Sequence, residues 1–180
     1  GGIIAAFITC RFNKLNFFNL LDCAGMSLLI GQGIGRWGNF ANQEAFGSNT
    51  NMPWGMISEK TTIYLVDHKD ELEALGMSVD PYSPVHPTFL YECLWNLLGF
   101  TLINLFYKKK KFDGQLTLAY LGWYGLGRTL IEGLCAESLH FGVFRSAQVI
   151  GLISFVACTL TLIYKLAKVY RKQKDSEEYV

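Results

Sequence analysis

Four ionisable residues lie inside or at the ends of otherwise apolar stretches of the chain: Arg36, Glu92, Arg128 and Glu132. An ionisable group within a bilayer span costs on the order of 2.5–3.5 kcal/mol by insertion scales, so a group of them marks a site. A guanidinium presents a planar fork of donors that fits a phosphodiester, and a carboxylate can pair with it or take a proton. Arg128 and Glu132 stand four residues apart, which places them on one face of a helix. The bland reading of these charges is helix glue: an i,i+4 ion pair, an interhelical pair at Glu92 and a snorkelling Arg36.

The segment 31–47, GQGIGRWGNFANQEAFG, adds polar equipment around Arg36. Glycines at 31, 33, 35 and 38 permit strained turns or close approach to a ligand, and Asn39, Asn42, Gln43 and Glu44 follow directly. The GK[ST] ending of a phosphate-binding P-loop is absent, and no βαβ pattern surrounds the glycines. His86 precedes Pro87 with no second histidine nearby, which reads as helix entry rather than a metal ligand. Tyr91, Trp95, Trp123 and Tyr124 fit an interfacial aromatic belt or ordinary packing. Cys10, Cys23, Cys93, Cys135 and Cys158 form no CxxC pair and read as small membrane-core residues.

The elements that must position these groups follow from composition. The 180 residues are 51% hydrophobic and 17% charged, with a mean hydropathy of +0.22. A soluble domain carries about 25% charged residues, and here the charges cluster and leave long stretches bare. The expected fold is all-α: a polytopic helical membrane protein. Its expected spans are a remnant at 1–10, then 17–34, 88–107, 114–134 and 146–164, with a small extracytoplasmic cap from the loop 47–85 and a cytoplasmic tail at 165–180. Arg11 and Lys14, Lys108 to Lys111, and the basic residues from Lys165 to Lys174 alternate onto one face, which the positive-inside rule makes cytoplasmic. Arg36, Glu92, Arg128 and Glu132 then share the outer half of the membrane. With 1.5 Å of rise per residue, Glu92 lies roughly 8 Å below its helix start and Arg128 roughly 10 Å below the outer end of its helix.

Several motifs now resemble one family in order. Gly35 to Gly47 (GRWGNFANQEAFG) resembles the GRxGNFxNxExxG signature of bacterial prolipoprotein diacylglyceryl transferases. His86 to Glu92 (HPTFLYE) is similar to their HPxxLYE motif, and Tyr124 to Glu132 (YGLGRTLIE) to their YGxxRxxxE motif. Arg145-Ser146-Ala147-Gln148 resembles the stretch opening the last span, and Gly1 to Ile4 the end of an HGGLIG motif. The resemblance implies a histidine directly before Gly1 and a further tyrosine-bearing span upstream. One departure is visible: Cys135-Ala136-Glu137 stands where many members carry an arginine.

The resemblance implies that a lipobox cysteine thiol of a prolipoprotein receives the diacylglyceryl group of phosphatidylglycerol and that glycerol phosphate leaves. Arg36, Arg128, Glu92 and Glu132 are then the catalytic set. Arg36, Asn39 and Gly47 match the signature positions tied to the phospholipid, and Asn42, Glu44, His86 and Tyr91 of the same motifs are placed with them on the substrate side. The base for the thiol proton is the upstream histidine, Glu92 or Glu132. The scheme requires no metal or organic cofactor and no nucleic acid; its partners are phosphatidylglycerol, the prolipoprotein signal peptide and the bilayer, and its place is the bacterial cytoplasmic (inner) membrane. Intramembrane arginine and glutamate also suit a transporter for an anionic solute, and a non-catalytic assembly subunit is a further alternative.

Overall fold

The computed structural model describes residues 1–74, 76–135, 140–141 and 144–178. In chain order its elements are α1 (Gly2–Phe12), α2 (Phe17–Ala41), α3 (Glu59–Asp67), α4 (Lys69–Ala74), α5 (Thr88–Phe106), α6 (Gln115–Glu132) and α7 (Ser146–Glu178). The antiparallel pair β1 (His140–Phe141) and β2 (Phe144–Arg145) lies between α6 and α7. The chain is an all-α membrane protein. Among the described residues, three helical stretches are long and apolar enough to cross a bilayer, Phe17–Ala41, Thr88–Lys109 and Ser146–Asp175. Helices satisfy their own backbone groups, which lipid cannot do for them.

The glycine-rich stretch does not form the strained turns considered from sequence. α2 continues through glycines 31, 33, 35 and 38 to Ala41. Asn16 starts the helix by accepting from the backbone N–H groups of Phe18 and Asn19. In water each interior glycine costs about 1 kcal/mol; in lipid the helix is the one way to satisfy the backbone. A Cβ on Gly33 would stand 3.6 Å from the Cys93 carbonyl oxygen and the Leu97 side chain of α5, so the two helices approach closely there.

α6 packs against α2, α5 and α7 and is the centre of the bundle. A Cβ on Gly125 would stand 2.5 Å from the Gly151 carbonyl oxygen, and one on Gly151 would stand 2.7 Å from that of Gly125. α6 and α7 thus cross backbone to backbone, as small residues allow in membranes. The start of α6 is capped from another helix. Asp22 of α2 accepts from Gly114 N at 2.9 Å, Thr117 N at 2.8 Å and the Thr117 hydroxyl at 2.8 Å. Lys110 pairs with the same carboxylate at 3.0 Å. Asn16 donates to Asp113 at 2.7 Å, and the Lys165 ammonium sits 5.1 Å from the centre of the Phe112 ring. These contacts gather the segments bearing the three basic clusters at one end of the bundle.

α5 and α6 are joined by a reciprocal pair. The indoles of Trp95 and Trp123 stack at 4.4 Å, and each N–H donates to the other residue's backbone carbonyl at 3.0 Å. Gly99 and Gly127 leave the room each indole occupies; a Cβ at either would collide with the ring. Gly127→Ala will therefore lower stability by about 1–3 kcal/mol, as overpacking of a filled core does. Thermal unfolding in detergent measures this, and an unchanged midpoint would show that the indole is free to move aside.

The loop 47–85 folds into the cap that holds α3 and α4. Phe46, Leu65, Leu72, Val79 and Val85 form its own small core. Asn49 ties its ends: its amide donates to the carbonyls of Asp80 at 2.8 Å and Ser83 at 3.1 Å, and its oxygen accepts from Asp80 N at 2.9 Å.

Candidate functional site

Three helices deliver the four expected charges to one place. Arg36 lies in the last turns of α2, Glu92 in the first turns of α5, and Arg128 and Glu132 close α6. They form a continuous ionic chain. Arg36 Nη2 pairs with Glu92 Oε2, Arg128 Nη1 reaches Glu92 Oε1 at 3.3 Å, and Arg128 Nη2 meets Glu132 Oε2 at 2.5 Å. The two carboxylates are buried, at 6% and 7% side-chain exposure, while each arginine keeps 24%. Burying a lone charge costs several kcal/mol, and alternating signs offset that cost. The carboxylates are thus the more buried partners, and the arginines keep the greater exposure.

They face a cavity of about 230 Å³, lined by Arg36, Asn39, Glu44, Ala45, Phe46, Glu92, Arg128, Glu132 and Cys135. Asn39 lies three residues after Arg36, on the same side of α2. Beyond the helix the chain turns sharply: Gln43 and Ala45 hold positive φ angles of 58° and 56°. That turn brings Glu44 to the cavity and offers the Ala45 carbonyl to the Thr88 hydroxyl at 2.6 Å and Phe89 N at 3.2 Å. One loop thereby links the end of α2 to the start of α5, and it fixes Arg36 relative to Glu92.

The other expected substrate-side residues are placed elsewhere. Asn42 is the exposed C-cap residue of α2. Gly47 is buried in backbone: its N–H donates to the His86 carbonyl at 2.8 Å, and a Cβ would collide with the Leu134 carbonyl. Its glycine is required by this close approach, which holds the cap to the end of α6. His86 Nδ1 lies 2.9 Å from the Tyr91 hydroxyl, which accepts from Trp54 Nε1 at 2.8 Å. None of Asn42, Gly47, His86 or Tyr91 lines the cavity. Gln148 of the last motif donates to the Thr129 carbonyl at 3.1 Å and so fastens α7 to α6. The side chain of Arg145, and Ala136 and Glu137 of the departure, lie outside the described residues.

Sequence reasoning missed Cys135 as a cavity residue, having read it as one more small core side chain. Burial pushes its thiol up to about 11, and the neighbouring Glu132 carboxylate adds to the rise. Because the thiolate is the reactive form, alkylation of Cys135, with the other four cysteines replaced by serine, will keep accelerating above pH 9 and level only beyond about 11. A rate that levels near pH 9 would contradict this environment. Asn96 was also missed; it is buried one turn beyond Glu92 and borders a small space with Tyr124 and Arg128.

Residues 1–164 match the family model described as prolipoprotein diacylglyceryl transferase. The chain is 38% identical over 178 residues to a phosphatidylglycerol–prolipoprotein diacylglyceryl transferase of Clostridioides difficile, covering 99% of this chain and 62% of that protein. It is 40% identical over 169 residues to one from Listeria welshimeri, covering 93% and 57%. A Synechocystis protein of the same name is 38% identical over 185 residues, covering 99% and 60%. The chain thus spans about three fifths of the length of these relatives. With Arg36, Glu92, Arg128 and Glu132 of three motifs drawn onto one ionic cluster and the family match covering residues 1–164, the chain belongs to the prolipoprotein diacylglyceryl transferase family.

Proposed function

We propose that the protein of which this chain forms part transfers the diacylglyceryl group of phosphatidylglycerol to the lipobox cysteine of a prolipoprotein. One observation carries the proposal: two guanidiniums from separate helices meet on a single buried carboxylate at the wall of one cavity. In the reaction the thiol sulfur bonds to the glycerol carbon bearing the phosphate ester, and the carbon–oxygen bond breaks. Glycerol phosphate departs with the electron pair, and the thiol proton passes to a base. Negative charge grows on the departing phosphate, where preorganised guanidinium donors stabilise it most. Arg36 and Arg128 hold that phosphate. Glu92 and Glu132 fix the guanidiniums and offer acceptors for the proton. Asn39 and Glu44, on the same wall, contact the glycerol and headgroup.

The protein crosses the bacterial inner membrane several times, with the cap outside and the arginine cavity toward the outer leaflet. Support comes from the basic end of the bundle, which lies opposite the cavity, as the positive-inside rule expects of a cytoplasmic face. An assay of the full-length protein with phosphatidylglycerol and a lipobox peptide tests the reading. Thioether product is expected, reduced at least about a hundredfold in Arg36→Ala. Flux of an anionic solute without thioether formation would overturn it in favour of a transporter.

A further inference from the structure

At the end of the bundle away from the arginine cavity lies a second, larger space of about 380 Å³, bounded by the last turns of α5, the first of α6 and the middle of α7. Its walls are apolar. Ile103 and Leu116 form the base, and Leu162 and Leu166 of α7, four residues apart, close one side. Its mouth carries Lys109 and Lys111. The four consecutive lysines from 108 to 111 are thus not equivalent. Lys110 is committed to Asp22 at 3.0 Å and Asp113 at 3.1 Å. Among the described residues, neither Lys109 nor Lys111 has a carboxylate within ion-pair distance. The Lys109 ammonium rests 5.7 Å from the centre of the Phe106 ring, at the lip of the groove.

Two unneutralised cations above an apolar cleft match one kind of molecule, an acyl chain attached to an anionic headgroup. We infer that this groove binds an anionic phospholipid of the leaflet opposite the arginine cavity, its phosphate on Lys109 and Lys111 and one acyl chain along Leu162 and Leu166. The site is distinct from the arginine cluster. Glu92 and Phe106 lie on one helix, and a rise of 1.5 Å per residue separates them by roughly 21 Å. The occupant holds α7 against α5, the pair of long helices between which the groove runs, and the inference does not depend on the transfer reaction.

Photolabelling of the full-length protein in nanodiscs tests it without needing any variant. A phosphatidylglycerol with a diazirine in its acyl chain is compared with the matching phosphatidylcholine, and labelled peptides are mapped. Labelling at 162–166 and 102–106 is expected to be about thirtyfold stronger with the anionic lipid, since each of the two lysines near a headgroup contributes about one kcal/mol. Lys109→Gln with Lys111→Gln will remove that preference while helix content stays unchanged, both side chains being exposed. Equal labelling by the two lipids, a preference that survives the double substitution, or no labelling of these segments because another part of the protein fills the groove would each overturn the inference.

Discussion

Arg128→Ala will lower thioether formation by roughly 10²–10³-fold, and it will destabilise the bundle more than Arg36→Ala does. The catalytic estimate follows from the loss of a preorganised donor to developing charge, each worth about 10²–10³ in rate. The stability ranking follows from geometry. Arg36 pairs with Glu92, whereas Arg128 bridges Glu92 and Glu132, so its removal strands charge on two buried carboxylates. Breaking a buried pair from one side costs about 3–5 kcal/mol. The two effects are separable. Adding Glu132→Gln to Arg128→Ala removes one of the stranded charges and will recover part of the stability without restoring transfer. If the double variant regained activity along with stability, Arg128 would be a structural strut rather than a holder of substrate charge. Unfolding in detergent and single-turnover transfer read the two quantities independently.

Asp22→Ala will cost about 2–4 kcal/mol, although Asp22 stands at the other end of the bundle from the cavity. Its carboxylate accepts two backbone N–H groups and one hydroxyl at the start of α6 and pairs with Lys110. Bonds to a charged acceptor are worth about 1.5–3 kcal/mol each, are not additive, and leave unsatisfied donors when the acceptor goes. Asp22→Asn will recover part of the loss, since an amide oxygen still caps but carries no charge for Lys110. Hydrogen exchange at Gly114 and Thr117 is the sensitive readout. Unchanged protection there in Asp22→Ala would show that water replaces the carboxylate at no cost.

Arg36, Glu92, Arg128 and Glu132 were legible because an ionisable group in an apolar stretch is conspicuous, and Arg128 with Glu132 because i,i+4 spacing is local. The all-α character was legible from the lengths of the apolar runs. The sharing of Glu92 by two arginines was not, since it depends on how α2, α5 and α6 are set side by side. The capping by Asp22 has no local signal, because the groups it caps are 92 and 95 positions away in the chain. Glycines 31 to 38 read as a turn or a ligand approach, because propensities measured in water penalise glycine in a helix that lipid enforces. Gly47 read as a substrate-side residue, yet what demands a glycine there is the Leu134 carbonyl across from it. Trp95 and Trp123 read as belt or packing, and their exchanged N–H bonds have no sequence signature at all.

In the proposed reaction Arg36 and Arg128 grip one lipid phosphate together. The most direct measurement is a structure of the full-length protein with phosphatidylglycerol bound in nanodiscs. Phosphate density is expected within about 3 Å of both guanidiniums, with Glu92 still paired to them. Phosphate held by one arginine alone, or seated outside the cavity while both guanidiniums remain turned onto their carboxylates, would contradict it.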